Sequence, residues 1–451
     1  MTSSRTLLIY GLGRSGLAAA RLAGRQGHRL LFYEQRPRGS DIDAALQLGA
    51  SRVGNPAEAA VDLCIAAPGV PYEHPDLRAL RRRGIETIGE VEWVQRTVPA
   101  DLIGISGTAG KGSVTAWISR ALSEAGFDAP AGGNIDPALA DVARPGATLV
   151  VELSSFQLER CPTLRPRIAI LLNLGSDHLD RHGSLAAYHG AKRKLLANLQ
   201  ASDLLISNRD DPVLYRWARS CPARRALFSL RQAADAWLRR QDGQLMLAAT
   251  PLLTTSELLV QGEHQLANAL AVALACREMG LSNEQIRWAL RTFPGLPGRC
   301  QVVGRYRDIS FIDDSIATRS LAVSASLQAA PAPVVLIAVG VDKGADLGEL
   351  EELVRRQVCL FIGIGTSGPA FATRLEQLVT TRLCRQVDGE AALHCAVQTA
   401  VRYLERHHHG RGTVLLAPLA TSFDQFRDYR ERAASFQRVV ARVEEMWTPC
   451  S

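Results

Sequence analysis

Leu102-Ile-Gly-Ile-Ser-Gly-Thr-Ala-Gly-Lys-Gly-Ser113 reads as an apolar strand running into a glycine-rich turn, and the helical run Val114–Ala125 follows it. Glycines let backbone N–H groups wrap phosphate oxygens, the start of a helix adds positive potential, and a lysine at this spacing reaches the outer phosphates. Strand, loop, Lys111, the Ser113 hydroxyl and helix occur in that order. The pattern implies a nucleoside triphosphate; an ordinary glycine turn with an incidental lysine does not account for the order.

Toward the N-terminus, Thr6–Tyr10, Leu30–Tyr33 and Leu63–Ala66 read as apolar strands, with a helix opening at Ser15 between the first two. That alternation is a Rossmann-like βαβ pattern. It restarts near Thr97–Asp101, and further strands follow at Thr148–Leu153, Arg167–Leu172 and Leu204–Ser207. After the turn-rich Pro294–Gly298 a third set begins, at Ile309–Ile312, Val334–Val339, Cys359–Ile364 and Thr413–Ala417. The fold class expected is α/β in three domains: a Rossmann-like domain over 1–97, a central P-loop ATPase-like domain over 98–298, and a second Rossmann-like domain over 299–451. A length of 451 residues agrees, at roughly 150 residues per domain.

Three further features carry chemistry. Gly11-Leu-Gly-Arg-Ser-Gly16 after the first strand is a G-x-G-x-x-G diphosphate cradle, and Glu34 sits where an NAD site wants an acidic residue. A dinucleotide oxidoreductase is therefore open for this segment, but it leaves the triphosphate loop and third domain unexplained. Glu152 ends one apolar strand, and Asp177 and His178 lie just past another. Ligands gather at the carboxyl ends of strands in open α/β sheets, and a hard cation beside phosphates needs oxygen ligands.

Composition excludes some classes. No run of about 18 apolar residues is present, so no membrane span or secretory signal is expected. Nine scattered cysteines without CxxC pairs fit reduced thiols in a cytoplasm. The net charge of +7 comes from dispersed arginines, without the basic stripe and interleaved aromatics that nucleic acid would want. His407–His409 reads as a solvated loop. Of 52 basic residues only Lys111, Lys192, Lys194 and Lys343 are lysines. Where arginine is so favoured, a retained lysine is a candidate for chemistry that requires losing a proton.

Taken in order, the Gly11–Gly16 loop, Ala67-Pro-Gly69, the phosphate loop, Gly132-Gly-Asn134, Glu152–Gln157, Asn173–His182, Asn208–Asp211, Gly262–Ala269, Gly295–Arg299, Asp313–Thr318, Asp342–Gly344 and Ser422–Phe426 resemble the Mur ligase family. The resemblance covers essentially the whole chain. It implies an ATP-dependent amide-forming ligase of cell-wall synthesis that joins D-glutamate to UDP-N-acetylmuramoyl-L-alanine, in the cytoplasm and as a monomer. It implies that Arg14, Ser15, Glu34, Gln35 and Arg36 hold the uridine nucleotide, with Asn134, Gln157 and His178 on the muramoyl-alanine side. It assigns ATP to Gly107, Thr108, Ala109, Gly110, Lys111, Gly112 and Ser113, with Asn268, Arg299 and Asp314. Two magnesium ions would be held by Ser113, Glu152, His178 and Lys192, the lysine as its carbamate. Lys343, Thr318, Ser422 and Tyr429 would line the D-glutamate pocket. Lys111, Glu152, His178 and Lys192 would be the catalytic set.

The sequence departs from the family pattern in places. Ala109 stands for the loop asparagine and Gly112 for its first hydroxyl; Gly298 replaces a histidine, Ile316 a lysine, and Ala433 a glycine. Lys-Gly-Ser occurs in the sister folylpolyglutamate synthases, so Ser113 can supply the loop hydroxyl. A folylpolyglutamate-type ligase and a non-catalytic nucleotide-sugar-binding paralogue stay open as alternatives.

Overall fold

The computed structural model describes residues 4–36, 38–260, 262–318, 320–339, 348–419 and 425–445. Lys343 and Ser422 fall outside this set. Three sheets follow one another along the chain. The first has five parallel strands, β1 (Thr6–Tyr10), β2 (Arg29–Tyr33), β3 (Ser51–Arg52), β4 (Leu63–Ala66) and β5 (Glu86–Ile88), in the order β3-β2-β1-β4-β5. Strand order reverses at β1, so the loop after Tyr10 opens at the sheet's switch point.

The second sheet has nine strands: β6 (Asp101–Ser106), β7 (Ala131–Gly133), β8 (Thr148–Glu152), β9 (Ile168–Leu171), β10 (Leu204–Asn208), β11 (Arg224–Ser229), β12 (Ala236–Arg239), β13 (Gln244–Leu247) and β14 (Thr250–Thr254). Their order is β14-β13-β12-β11-β10-β9-β6-β8-β7. β7 to β12 pair in parallel, and β12 to β14 form an antiparallel extension. β6 lies between β9 and β8, again at a switch point, and the phosphate-type loop leaves its carboxyl end.

The third sheet contains β15 (Gln301–Tyr306), β16 (Asp308–Asp313), β17 (Val334–Val339), β18 (Val358–Ile364), β19 (Thr380–Cys384) and β20 (Arg411–Leu419). They run β15-β16-β20-β17-β18-β19, parallel except for the β15–β16 hairpin. Every residue of β17 is buried because the sheet is covered on both faces. Val335, Ile337 and Val339 enter one core, and Val334, Leu336 and Ala338 the other, as a two-residue side-chain period requires.

Met1–Thr255 with Leu266–Leu290 form one compact unit, and Ser256–Gln265 with Arg291–Ser451 a second. The first unit thus contains two sheets. One continuous apolar cluster joins them, from Leu7 and Ile9 through Trp93 and Val94 to Leu139, Leu149 and Leu171. Polar contacts fasten the same seam. Glu92, fully buried, accepts from Arg96 Nε at 2.8 Å and from the Thr163 amide at 3.1 Å. Arg21 pairs with Asp141 at 2.7 Å, and the Arg165 amide donates to Gln95 at 2.7 Å. Among the described residues no helix is long and apolar enough to cross a membrane.

Strand-to-helix packing in the first sheet rests on Gly16. A Cβ there would collide with the Gly11 carbonyl oxygen, whereas a Cβ on Gly13 would meet open space. Gly16→Ala is therefore expected to lower the first unfolding transition in urea by about 1–3 kcal/mol, and Gly13→Ala by less than about 0.5 kcal/mol. Equal effects would show that the close approach at Gly16 is not what holds this loop.

Candidate active site

The helix after β6 runs Lys111–Glu124, and its buried Val114, Trp117, Ile118, Ala121 and Leu122 recur at the spacing of one helical face. Gly110 caps it in the left-handed region at φ 82°, and a Cβ there would lie 2.5 Å from Asn268 Oδ1. Asn268, 3% exposed, is thereby set against the loop. The loop's shape is held from the next strand over. Asn173 Oδ1 accepts from the Thr108 and Ala109 amides at 3.0 and 2.9 Å, and Asn173 Nδ2 donates to the Ala109 carbonyl at 3.1 Å. Thr108 Oγ1 accepts from the Gly175 amide at 2.8 Å and from the Tyr188 hydroxyl at 3.3 Å. Ser113 is buried in the helix's first turn.

Two amines converge on this loop. Lys111 Nζ donates to the Gly107 carbonyl at 2.9 Å and to the Thr108 carbonyl at 2.9 Å. Lys192 Nζ donates to the same Gly107 carbonyl at 2.8 Å. Lys192 lies on the helix Leu185–Arg193, is only 1% exposed, and sits 4.6 Å from the centre of the Tyr188 ring. It is not the solvated lysine that its helix position alone would suggest. Burial and the neighbouring Lys111 charge push its pKa down to about 7, against the opposing pull of Asp177 and Glu152.

Glu152 ends β8 and is 2% exposed. Its Oε1 accepts from Asn134 Nδ2 at 2.7 Å, while Oε2 is buried with no hydrogen-bond partner. A carboxylate oxygen left in this state is suited to a cation, since burying it unpaired is costly. Among the described residues no three Asp, Glu, His or Cys side chains converge to hold a metal. His178, in the left-handed region at φ 53°, has Nε2 at 3.3 Å from Asp177 and packs against Phe156 at 4.8 Å. His178 and Lys192 both touch the Tyr188 ring, but no hydrogen bond joins them.

A cleft of about 720 Å³ opens at the carboxyl end of the first sheet. Arg14, Ser15, Glu34, Gln35 and Arg36 line it from the first sheet, and Asn134 and Gln157 from the second. The Glu34 carboxylate accepts from the Leu12 amide at 2.7 Å and from the Arg36 amide at 2.8 Å. One oxygen thus ties the glycine loop to the end of β2, and the other holds the turn that follows Glu34. Arg14 Nη2 donates to the Asn134 carbonyl at 2.7 Å. Gln157 closes a capping box with Ser154 at the helix Ser155–Leu158. Asn134 lines the cleft and also grips Glu152, linking the two sites.

Arg181, which the sequence reading passed over, donates to the Pro68 and Val70 carbonyls at 3.0 and 2.7 Å and so holds the rim of the cleft. It lies inside the Asn173–His182 stretch, but that stretch does not reveal its partners, which belong to a loop 111 residues away. The remaining candidates lie in the second unit. Asp314 is 7% exposed and takes a hydrogen bond from Ser326, with the Cys300 amide 3.4 Å away beside Arg299. The Ile316 amide donates to the Gly298 carbonyl at 3.1 Å, so the Gly295–Arg299 turn packs on the Asp313–Thr318 segment. Thr318 follows there, and Tyr429, 39% exposed, opens the helix Tyr429–Ala441. His407–His409 is surface structure at the end of the helix Gly389–His407. The eight described cysteines are all free.

The family model for the Mur ligase middle domain matches residues 105–276. A Thermus thermophilus protein named UDP-N-acetylmuramoylalanine–D-glutamate ligase is 43% identical over 98% of this chain and 99% of its own. A protein of the same name from Deinococcus radiodurans is 41% identical over 96% and 91%. Among solved structures, the Thermotoga maritima UDP-N-acetylmuramate-alanine ligase MurC aligns with a TM-score of 0.59 at 20% identity, over 98% of this chain and all of that one. The Thermotoga maritima MurF ligase in complex with ADP aligns at 0.58 and 17%, over 92% and 96%. Sequence identity across nearly the whole length and the shared α/β architecture together show that this chain belongs to the Mur ligase family.

Proposed function

We propose that the protein is an ATP-dependent carbon–nitrogen ligase that adds D-glutamate to UDP-N-acetylmuramoyl-L-alanine in peptidoglycan synthesis. The observation that carries this reading is the near-complete match to relatives bearing that name. The geometry supports it: a triphosphate-type loop, a buried carboxylate with one unpaired oxygen, and a nucleotide-sized cleft share one compact unit. The domain roles follow, with 1–97 for the uridine nucleotide, 98–298 for ATP, and 299–451 for the incoming amino acid.

A carboxylate is a poor acylating agent, so the alanyl carboxylate first takes the γ-phosphoryl group of ATP. The D-glutamate amine then attacks the acyl phosphate, and phosphate leaves as the amide forms. In this reading the Gly107–Ser113 amides wrap the phosphates and Lys111 offsets their outer charge. Asn268 contacts the nucleotide. Glu152, through its unpaired oxygen, and Ser113 would hold one magnesium ion, and His178 with Lys192 a second. Magnesium, when bound, supplies positive charge against the crowded phosphates. The carry-over of Arg299 and Asp314 to ATP, and of Thr318, Lys343, Ser422 and Tyr429 to D-glutamate, completes the proposal.

Lys192 fits its part for a chemical reason. An amine with a pKa near 7 is about half neutral at neutral pH, and a neutral amine can add carbon dioxide, lose a proton and become a carbamate. Arginine cannot do this.

Two outcomes test the reading. Steady phosphate release with ATP and magnesium is expected only when UDP-N-acetylmuramoyl-L-alanine and D-glutamate are both present. Turnover with a folate instead would favour the folylpolyglutamate-type alternative, and no turnover despite nucleotide-sugar binding would favour the non-catalytic one. Lys192→Arg is expected to lose most activity, while Lys194→Arg, whose amine reaches only the Glu159 carbonyl at 3.3 Å, stays close to wild type. Lys192→Ala should regain activity with added formate or acetate. A carbamate carbon signal from labelled bicarbonate should appear in the wild type and in Lys194→Arg but not in the Lys192 variants; a fully active Lys192→Arg enzyme would remove the carbamate from the mechanism.

A further inference from the structure

Behind the cleft wall lies a carboxylate with no place in the chemistry above. Glu90 opens the helix Glu90–Thr97 and is 3% exposed. Its Oε1 accepts from the Ala140 amide at 2.6 Å, and its Oε2 accepts from the Ser15 hydroxyl at 3.1 Å. Ser15 stands in the first turn of the helix Arg14–Arg25 and lines the cleft proposed for the nucleotide sugar. A hydroxyl has one proton to donate. While Glu90 is ionised that proton points at Glu90, and Ser15 turns only lone pairs toward an incoming diphosphate.

We infer that Glu90 must take up a proton for Ser15 to donate to the diphosphate, so that binding of the nucleotide sugar carries one proton into this buried carboxyl. The inference rests on the nucleotide-sugar reading of the cleft. In the bound state Glu90 Oε2–H donates to Ser15 Oγ, the Ser15 hydroxyl donates to a phosphate oxygen, and Glu90 Oε1 keeps the Ala140 amide. Each polar atom of the Glu90–Ser15 pair is then satisfied, and Glu90 itself sets no ionised carboxylate behind Ser15. Surroundings agree with this arrangement. Burial lifts the Glu90 pKa to about 7, against the Ala140 and Ser15 hydrogen bonds; Asp141 raises it further and Arg14 lowers it. Arg14 is engaged by the Asn134 carbonyl and Asp136, Asp141 by Arg21, and the nearby Cys161 thiol is itself pushed upward by burial.

The sign follows from linkage. Glu90 is already protonated well below pH 7, so binding there takes up nothing. Above pH 7 it is ionised in the free protein, uptake approaches one proton, and affinity falls as pH rises.

Titration calorimetry of the full-length protein with UDP-N-acetylmuramoyl-L-alanine, in Tris and in HEPES, counts the protons. Uptake of about one proton at pH 8 and close to none at pH 6 is expected, with Kd rising by up to about tenfold per pH unit above 7. Glu90→Gln places an amide N–H on Ser15 permanently, so its uptake should vanish and its Kd should stay flat with pH. Should that variant not fold, Ser15→Ala must bind more weakly with uptake reduced toward zero. Tight binding without uptake at pH 8 overturns the inference and leaves the nucleotide-sugar reading standing. Uptake that persists in Glu90→Gln also overturns it and passes the proton to another group of the cleft. No binding at all overturns the reading of the cleft and the inference with it.

Discussion

Two lysine amines share one carbonyl, that of Gly107, inside a largely buried pocket. Two full positive charges so close repel strongly at low dielectric. The structure meets this constraint by placing Glu152 and Asp177 where they act on Lys192, and by lowering the proton affinity of the more buried amine. Much of the local architecture serves the same end. Asn173 fixes the loop so that its carbonyls face the amines, Tyr188 packs its ring on Lys192 and its hydroxyl on Thr108, and Asn134 orients Glu152. Under the proposed function, a polyphosphate at this loop would add negative charge beside Lys111 and ease the repulsion.

A second constraint governs the join between the first two sheets. Their shared apolar cluster needs helix Glu90–Thr97 buried against the second sheet, and that helix begins with two carboxylates, Glu90 and Glu92, both desolvated. Glu92 is compensated by Arg96 and the Thr163 amide; Glu90 has only a hydroxyl and an amide. The difference in partners is a difference in charge. Glu92 has a cation at contact distance, and Glu90 is left where neutrality is the easier state. This asymmetry puts a protonatable group directly behind the wall of the cleft that Ser15 lines.

The strands legible from sequence were the contiguous central ones of each sheet. In the first sheet these were β2, β1 and β4; in the second β10, β9, β6 and β8; in the third β16, β20, β17 and β18. Those not anticipated lie outboard: β3 and β5, β7 and β11 to β14, and β15 and β19. Central parallel strands are buried on both faces and read as unbroken apolar runs. Outer strands carry residues such as Arg52, Glu86, Arg224 or Pro251 that a half-covered position tolerates, so no run announces them. The antiparallel extension β12–β14 escaped for this reason.

The order strand–Gly107-loop–Lys111–helix by itself determined a glycine turn of the phosphate-loop type, because backbone geometry and helix polarity are local properties of a dozen residues. The scarcity of lysine singled out Lys192 as a candidate, since an arginine in its place could not give up its proton. Which groups surround these residues was decided by the tertiary structure alone. Asn173 meets Thr108 across 65 residues, Lys192 meets Gly107 across 85, and Glu90 meets Ala140 across 50. Burial, and with it the proton affinity of Lys192 and Glu90, is a property of those distant neighbours: a side chain's desolvation depends on what folds over it, and no local pattern encodes that.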